Sequence, residues 1–223
     1  MPGERRSPMD AINDEFRATT TRVAAYYSAT LARHGATPAG VDWESAAFQQ
    51  IRFAALLKIV DVTRPFSLND LGCGYGALLG YLRDRVTVPD VDYLGVDVSE
   101  EMIRAALHVW GTTPGAAFAV GAECPRRAVY SVASGIFNVR TGLRPAIWDR
   151  YVTRVLGGLY RASRVGFAVN FRAHSMPGLS SPGLYETEPE PWARFCEEDF
   201  GSSVEVVADY GLREFTLLVR RKA

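Results

Sequence analysis

The residues with the clearest chemical potential are Leu71-Gly72-Cys73-Gly74-Tyr75-Gly76, which follow a strand-like run and precede a helix-like one. Glycines at Gly72, Gly74 and Gly76 let backbone amides come close to a nucleotide-like ligand that a Cβ would hold away. Asp70, two residues before the first glycine, is placed to accept from an amino group and would repel a pyrophosphate. Asp97 follows about twenty residues after the loop, the spacing at which an acidic residue meets a ribose in nucleotide-binding folds. A second group of polar residues stands at the ends of later strands. Asn170-Phe171-Arg172-Ala173-His174 puts an amide, an arginine and a histidine at a cavity mouth. Arg172 offers a planar fork suited to a carboxylate or phosphonate, and His174 is a candidate general base.

These residues need elements to hold them. Ile12, Phe16, Val23, Tyr27 and Leu31 recur at helical intervals and predict an amphipathic helix that starts near Asp10 and stops at His34-Gly35. Residues 1–9 are expected to form a disordered tail. A loop of Gly, Ala, Thr and Pro follows, with Asp42 as the expected cap of a second helix carrying Phe48, Ile51, Ala55 and Ile59. Beyond Pro65 the pattern changes to short strands alternating with helices, which predicts a mostly parallel sheet covered on both faces. The strands are expected at 66–71, 91–96, 116–120, 129–133 and 165–171. Helices are expected to begin near Ala77, Glu100, Pro145 and Pro191. Residues 204–208 and 214–219, joined across Asp209-Tyr210-Gly211, read as an antiparallel hairpin. The expected organisation is a tail at 1–9, an N-terminal helical lid at 10–64 and a binding domain at 65–223, together one structural unit.

Composition narrows the partners. A chain of 223 residues, 48% hydrophobic and 22% charged, can bury a sizeable core unaided. Its basic and acidic residues balance at 25 each, which favours a small molecule over nucleic acid or an anionic membrane. Cys73, Cys124 and Cys196 lack zinc or dithiol spacing, so no metal is expected, and the thiols are read as reduced in a cytoplasmic protein. No apolar segment of leader or membrane-spanning length is visible. A monomer or a homodimer is compatible with the sequence.

The glycine loop alone suits two cofactors, S-adenosylmethionine (SAM) and NAD. Asp70, the late position of the loop after two helices and the terminal hairpin favour SAM, with an NAD-dependent oxidoreductase as the distant alternative. On the segments Asn69 to Gly76, Tyr93 to Ser99 with Met102, Ser131 to Asn138 and Asp209 to Thr216, the chain resembles the class I SAM-dependent methyltransferases. The resemblance implies a Rossmann-like α/β fold with a seven-stranded sheet ordered 3-2-1-4-5-7-6 and only the last strand antiparallel. It implies SAM as cofactor and S-adenosylhomocysteine (SAH) as product. The glycine loop would then lie against the methionine moiety, with Asp97 on the ribose hydroxyls and Val98 and Met102 beside the adenine. Glu123 would meet the adenine amine. The segment Ser134 to Asn138 would border the methyl group, Phe137 flanking the sulfonium and Asn138 bonding the acceptor.

In such enzymes an N-terminal helical section commonly covers the site, which makes Tyr26 and Tyr27 candidates for a catalytic role from the lid. Tyr27 lies on the apolar stripe, whereas Tyr26 falls beside it with its hydroxyl toward the cavity. Gln49 and Arg52 on the second helix are further substrate-binding candidates, as are Asn138, Asn170 and Arg172, with Arg22 a more distant one. Two acceptor classes stay open. An anion held by Arg172 points to O-methylation of a small carboxylate or phosphonate, as in natural-product pathways. A base at His174 points to an alcohol or amine acceptor. A SAM-binding protein without transfer activity is a third reading.

Overall fold

The structure, a computed structural model, describes residues 7–85, 90–174 and 183–222. The first helix, α1 (Pro8–His34), starts two residues earlier than the apolar stripe suggests. Its cap is Ser7, whose Oγ accepts from the Asp10 amide at 3.2 Å while the Asp10 carboxylate accepts from the Ser7 amide at 3.3 Å. This reciprocal box, with proline at the first helical position, satisfies amides that would otherwise face water unpaired. Residues 7–9, expected in the tail, therefore belong to the helix and its cap; 1–6 lie outside the described residues. A 3-10 turn at Pro38–Val41 leads to α2 (Ala46–Leu56). Ser45 caps α2, accepting from the Phe48 amide at 3.2 Å. Asp42, the expected cap, takes a left-handed backbone (φ 60°) and serves another purpose described below.

The rest alternates as β1 (Phe66–Leu71), α3 (Ala77–Arg85), β2 (Val91–Asp97), α4 (Glu100–Trp110), β3 (Ala116–Val120), β4 (Ala128–Ala133), α5 (Pro145–Ala162) and β5 (Ser163–Ala173). It ends in β6 (Glu186–Thr187), α6 (Pro189–Phe200), β7 (Ser203–Val207) and β8 (Glu214–Arg220). The strands lie in the order β3-β2-β1-β4-β5-β8-β7. All pairs from β3 to β5 are parallel, and β8 runs antiparallel to both β5 and β7. This is the expected seven-strand order; an additional two-residue strand, β6, pairs with the end of β5 through Arg172 and Glu186.

Side chains alternate across this sheet and build a core on each face. One core gathers Trp148, Phe137, Phe167 and Phe171 under α5 and α6, and the other gathers Phe53, Leu56, Leu78 and Tyr93 under α2 and α3. β1 is unusually polar for a central strand, and its polar groups are paired. Asn69 donates to the Arg126 carbonyl at 3.1 Å and the Ser131 hydroxyl at 3.3 Å, and Ser67 accepts from the Val129 amide at 2.9 Å. Among the described residues no helix is long and apolar enough to cross a membrane.

Candidate functional site

The parallel strands β1, β2 and β4 end on one side of the sheet, where strand order reverses and folds of this type form a crevice. The turn after β1 lies there. Its glycines adopt φ values of 75° at Gly72, 54° at Gly74 and 84° at Gly76, a region that side-chain-bearing residues enter at a cost. The amides of Gly72 and Cys73 are tied to the Val96 carbonyl at 2.7 and 3.1 Å. Asp97, buried at the end of β2, grips the same turn: its Oδ2 accepts from the Gly74 amide at 2.9 Å and its Oδ1 from the Ser99 amide at 2.9 Å. Burial raises the pKa of Asp97 above the ordinary carboxylate value, and the amides of Ser99, Gly74 and Val98 oppose that rise. Asp70 is also buried. Its carboxylate accepts from the Tyr93 hydroxyl at 2.7 Å, and burial, reinforced by Asp97, pushes its pKa up to about 7 against the pull of Tyr93.

Around this turn is a cavity floored by Asp70, Gly72, Gly74, Asp97, Val98 and Met102 and walled on one side by Gly121, Ala122 and Ser134. Its other wall comes from the N-terminal helices, through Tyr27, Val41, Trp43 and Gln49. Gln49 also accepts from the Tyr75 hydroxyl at 3.4 Å. Val41 sits so near Gly74 that a Cβ there would lie 3.0 Å from its Cγ1. The N-terminal section is pinned in place by Ser28, which donates to Glu101 at 2.7 Å and lies 2.8 Å from the Ser99 hydroxyl. Glu15 and Arg150 add a two-point ion pair at 2.6 and 2.8 Å.

A second cavity adjoins the first and shares Tyr27, Val41, Trp43 and Gly135 with it. It is more polar, lined by His34, Asp42 and Glu44 from the N-terminal section and by Asn138 and Arg172 from the sheet. Among the described residues, Oδ1 of Asn138 and Nε of Arg172 are buried without a hydrogen-bond partner, as is Oγ of Ser134 in the first cavity. Unpaired buried polar atoms are uncommon, and these three face a cavity where a ligand or water can complete the bonding.

Several expectations need correction. Gly76 lines neither cavity; a Cβ on it would lie 2.6 Å from the Trp110 ring, so its glycine serves the packing of α4. Glu123 is exposed and turns away toward Arg154 at 3.8 Å and Arg161 at 3.6 Å on α5. Its place on the cavity wall is taken by Gly121 and Ala122. Phe137 is fully buried, stacked on Phe171 at 5.1 Å, and Ile136 lines the cavity instead. Tyr26 does not point its hydroxyl into the cavity but donates it to Asp42, whereas Tyr27, assigned to the core stripe, lines both cavities.

Arg52 and Asn170 are likewise occupied within the protein. Arg52 forms a buried two-point ion pair with Glu214, at 2.7 Å from Nε and 2.6 Å from Nη2. Asn170 donates to the same carboxylate at 2.8 Å and accepts from the Gly135 amide at 2.7 Å. His174 is exposed beyond the end of β5 and lines neither cavity. Arg22 is exposed on α1. Residues not anticipated are Val41 and Trp43, which line both cavities, and Glu214, which lines neither and holds Arg52 and Asn170. An acidic residue opening an otherwise apolar last strand was the one visible sign of Glu214.

No protein-family model matches the chain. It is 43% identical over 166 residues, 74% of its length, to the Mycobacterium tuberculosis protein named "Putative methyltransferase Rv1506c", of which the match covers 99%. Among solved structures it superposes on magnesium protoporphyrin IX methyltransferase from Synechocystis with bound SAH (TM-score 0.53, 13% identity, 99% of this chain and 90% of that one). A SAM-dependent methyltransferase from Aquifex aeolicus gives TM-score 0.55 at 17% identity, over 80% of this chain and 95% of that one. Human N-acetylserotonin methyltransferase in complex with SAM gives 0.57 at 15% identity, over 77% and 52%. These structural likenesses concern the fold. With the sequence relationship they make the chain a member of the methyltransferase family, built on the Rossmann-like fold of the SAM-dependent enzymes.

Proposed function

We propose that the chain binds SAM in the first cavity and methylates an oxygen of a small anionic molecule, a carboxylate or phosphonate, held in the second. The observation that carries this reading is the joining of the two cavities at Tyr27, Trp43 and Gly135, with the unpaired Asn138 Oδ1 and Arg172 Nε in the second.

The first cavity's groups suit SAM in chemical kind. Asp70 would accept from the ammonium of the methionine part, Gly72 and Gly74 would pass beneath it without side chains, and Asp97 would take the ribose hydroxyls. Val98 and Met102 offer an apolar slot to the adenine. When bound, SAM supplies a methyl carbon activated by a sulfonium, so the C–S bond breaks as the new O–C bond forms and a neutral thioether leaves. The chain's own contribution is positioning, which lowers such barriers by about 7 to 11 kcal/mol. The N-terminal helices act as the lid, with Tyr27 and Trp43 excluding water and offering aromatic faces that would favour the positive sulfonium of a bound SAM.

A base is not required by this reading. Burial, with help from Asp42, pushes the Tyr26 hydroxyl up to about 12, and burial raises Tyr27 further, so neither takes a proton at neutral pH. His174 stands outside both cavities. An acceptor that arrives already ionised needs neither, and Arg172 gives it a counter-charge. The test is a screen of methyl-tritiated SAM against pooled organic acids, amines and phenols. Label entering the acids supports the reading; label confined to amines or phenols overturns the anionic acceptor.

A further inference from the structure

Five residues from five segments close a ring around the junction of the two cavities. The Gly135 amide donates to Asn170 Oδ1 at 2.7 Å, and Asn170 Nδ2 donates to Glu214 Oε2 at 2.8 Å. Both oxygens of Glu214 take Arg52, whose third arm is fixed on the Phe48 carbonyl at 2.8 Å. The guanidinium carbon of Arg52 lies over the Trp43 ring, 3.8 Å from its centroid. Trp43 in turn rests on Gly135, where a Cβ would lie 2.3 Å from its Cζ2. The circuit thus returns to its starting residue.

We infer that Arg52 and Glu214 are positioning residues which seat Trp43 on Gly135 and so hold together the partition between the donor and acceptor cavities. Three observations support this. Arg52, Asn170 and Glu214 are 5%, 0% and 4% exposed, so the ion pair is not a surface decoration. A pair this deeply buried gains little stability over apolar residues of the same size, which leaves its geometry as the more telling property. Both ends of the ring, Trp43 and Gly135, line both cavities, whereas Arg52, Asn170 and Glu214 line neither. A two-point grip on Glu214 by a group that also lies over the Trp43 ring suits the extended planar guanidinium and not a compact ammonium. The Arg52–Glu214 pair therefore links the lid segment to the loop after β4 through two strands of the sheet.

The assignment of the two cavities rests on the SAM reading above, but the ring can be tested apart from it. Arg52→Met combined with Glu214→Met removes both charges at similar volume. Hydrogen exchange is followed in residues 38–45 and 134–138, SAH dissociation by stopped-flow, and the thermal midpoint as a check on folding. The proposal predicts exchange faster by about tenfold or more in both segments, SAH release faster by a similar factor, and exchange elsewhere in the sheet unchanged. Unchanged exchange in both segments overturns it. If the double variant loses its fold, Arg52→Lys decides, since it keeps a charge opposite Glu214 while losing the planar group over Trp43; the same two segments must loosen, and unchanged protection overturns the proposal. Failure of the unsubstituted chain to bind SAH would instead count against the donor reading and leave the exchange result standing.

Discussion

Asp97 holds Gly74: the carboxylate at the end of β2 accepts the amide at the crown of the glycine turn, 2.9 Å away and 23 residues earlier in the chain. One side chain thus shapes the floor of the first cavity and faces into it. Asp97→Ala removes two charge-assisted bonds, to Gly74 and Ser99, together with the proposed ribose contact. Each such bond is worth about 1.5 to 3 kcal/mol, so SAH affinity should fall by about a hundredfold or more in calorimetry. Unchanged affinity would remove Asp97 from the site.

Asp70 supplies a pH signature. In the folded protein its pKa is pushed up to about 7, above that of an unfolded aspartate, so without ligand it holds a proton below that pH. Binding an ammonium beside it favours the ionised form, and complex formation then releases this proton. SAH affinity should therefore rise from pH 5.5 toward 7 and level off above, and Asp70→Asn should flatten the rise. The same shift has a consequence for stability. The folded state binds the extra proton between the two pKa values, so Asp70 lowers stability as pH rises through that window, and Asp70→Asn should raise the thermal midpoint more at pH 8 than at pH 5.

Arg172 and His174 separate the two acceptor readings. Arg172→Ala should raise the KM for the acceptor by about tenfold or more while SAH affinity stays within about twofold, because a charge-assisted contact is lost in the second cavity only. His174→Ala should leave kcat/KM within about threefold, as expected of an exposed residue outside both cavities. A loss of about a hundredfold or more in kcat for the His174 variant would restore it as a general base.

Gly76 and Glu123 give contrasting controls. Gly76→Ala forces a Cβ toward Trp110 on a left-handed backbone and should cost about 1 to 3 kcal/mol of stability in denaturant unfolding, with SAH affinity of the folded protein kept. Glu123→Gln should leave both stability and SAH affinity nearly unchanged, its ion pairs being long and exposed.

The parts of the site that the sequence made legible are those determined locally. The glycine turn, Asp70 before it and Asp97 after the next strand are fixed by a strand-turn-helix unit, and the structure joins them as their spacing implied. The alternation of strands and helices followed from hydrophobic patterning for the same reason, whereas the order of the strands in the sheet was implied by the resemblance to the class I methyltransferases. The misplacements arise where one residue of helical phase or a distant neighbour decides. Tyr26 and Tyr27 are adjacent on α1 and point about 100° apart, so the stripe alone could not say which faces the cavity. Glu123 follows two residues that line the wall, and the arginines of α5 set its direction. Arg52 has the composition of an anion-binding residue, but its partner Glu214 lies 162 residues away and is brought to it only by the hairpin's return beside β5. Trp43, in a segment of glycine, alanine and proline, shows its role only once Gly135 is seen beneath it.

The most direct test of the central claim is calorimetric titration of the purified chain with SAH and, separately, with NAD. One SAH site per chain, weakened by Asp97→Ala, and no heat of binding with NAD is the predicted result. Binding of NAD without binding of SAH would contradict the donor assignment and with it the proposed reaction.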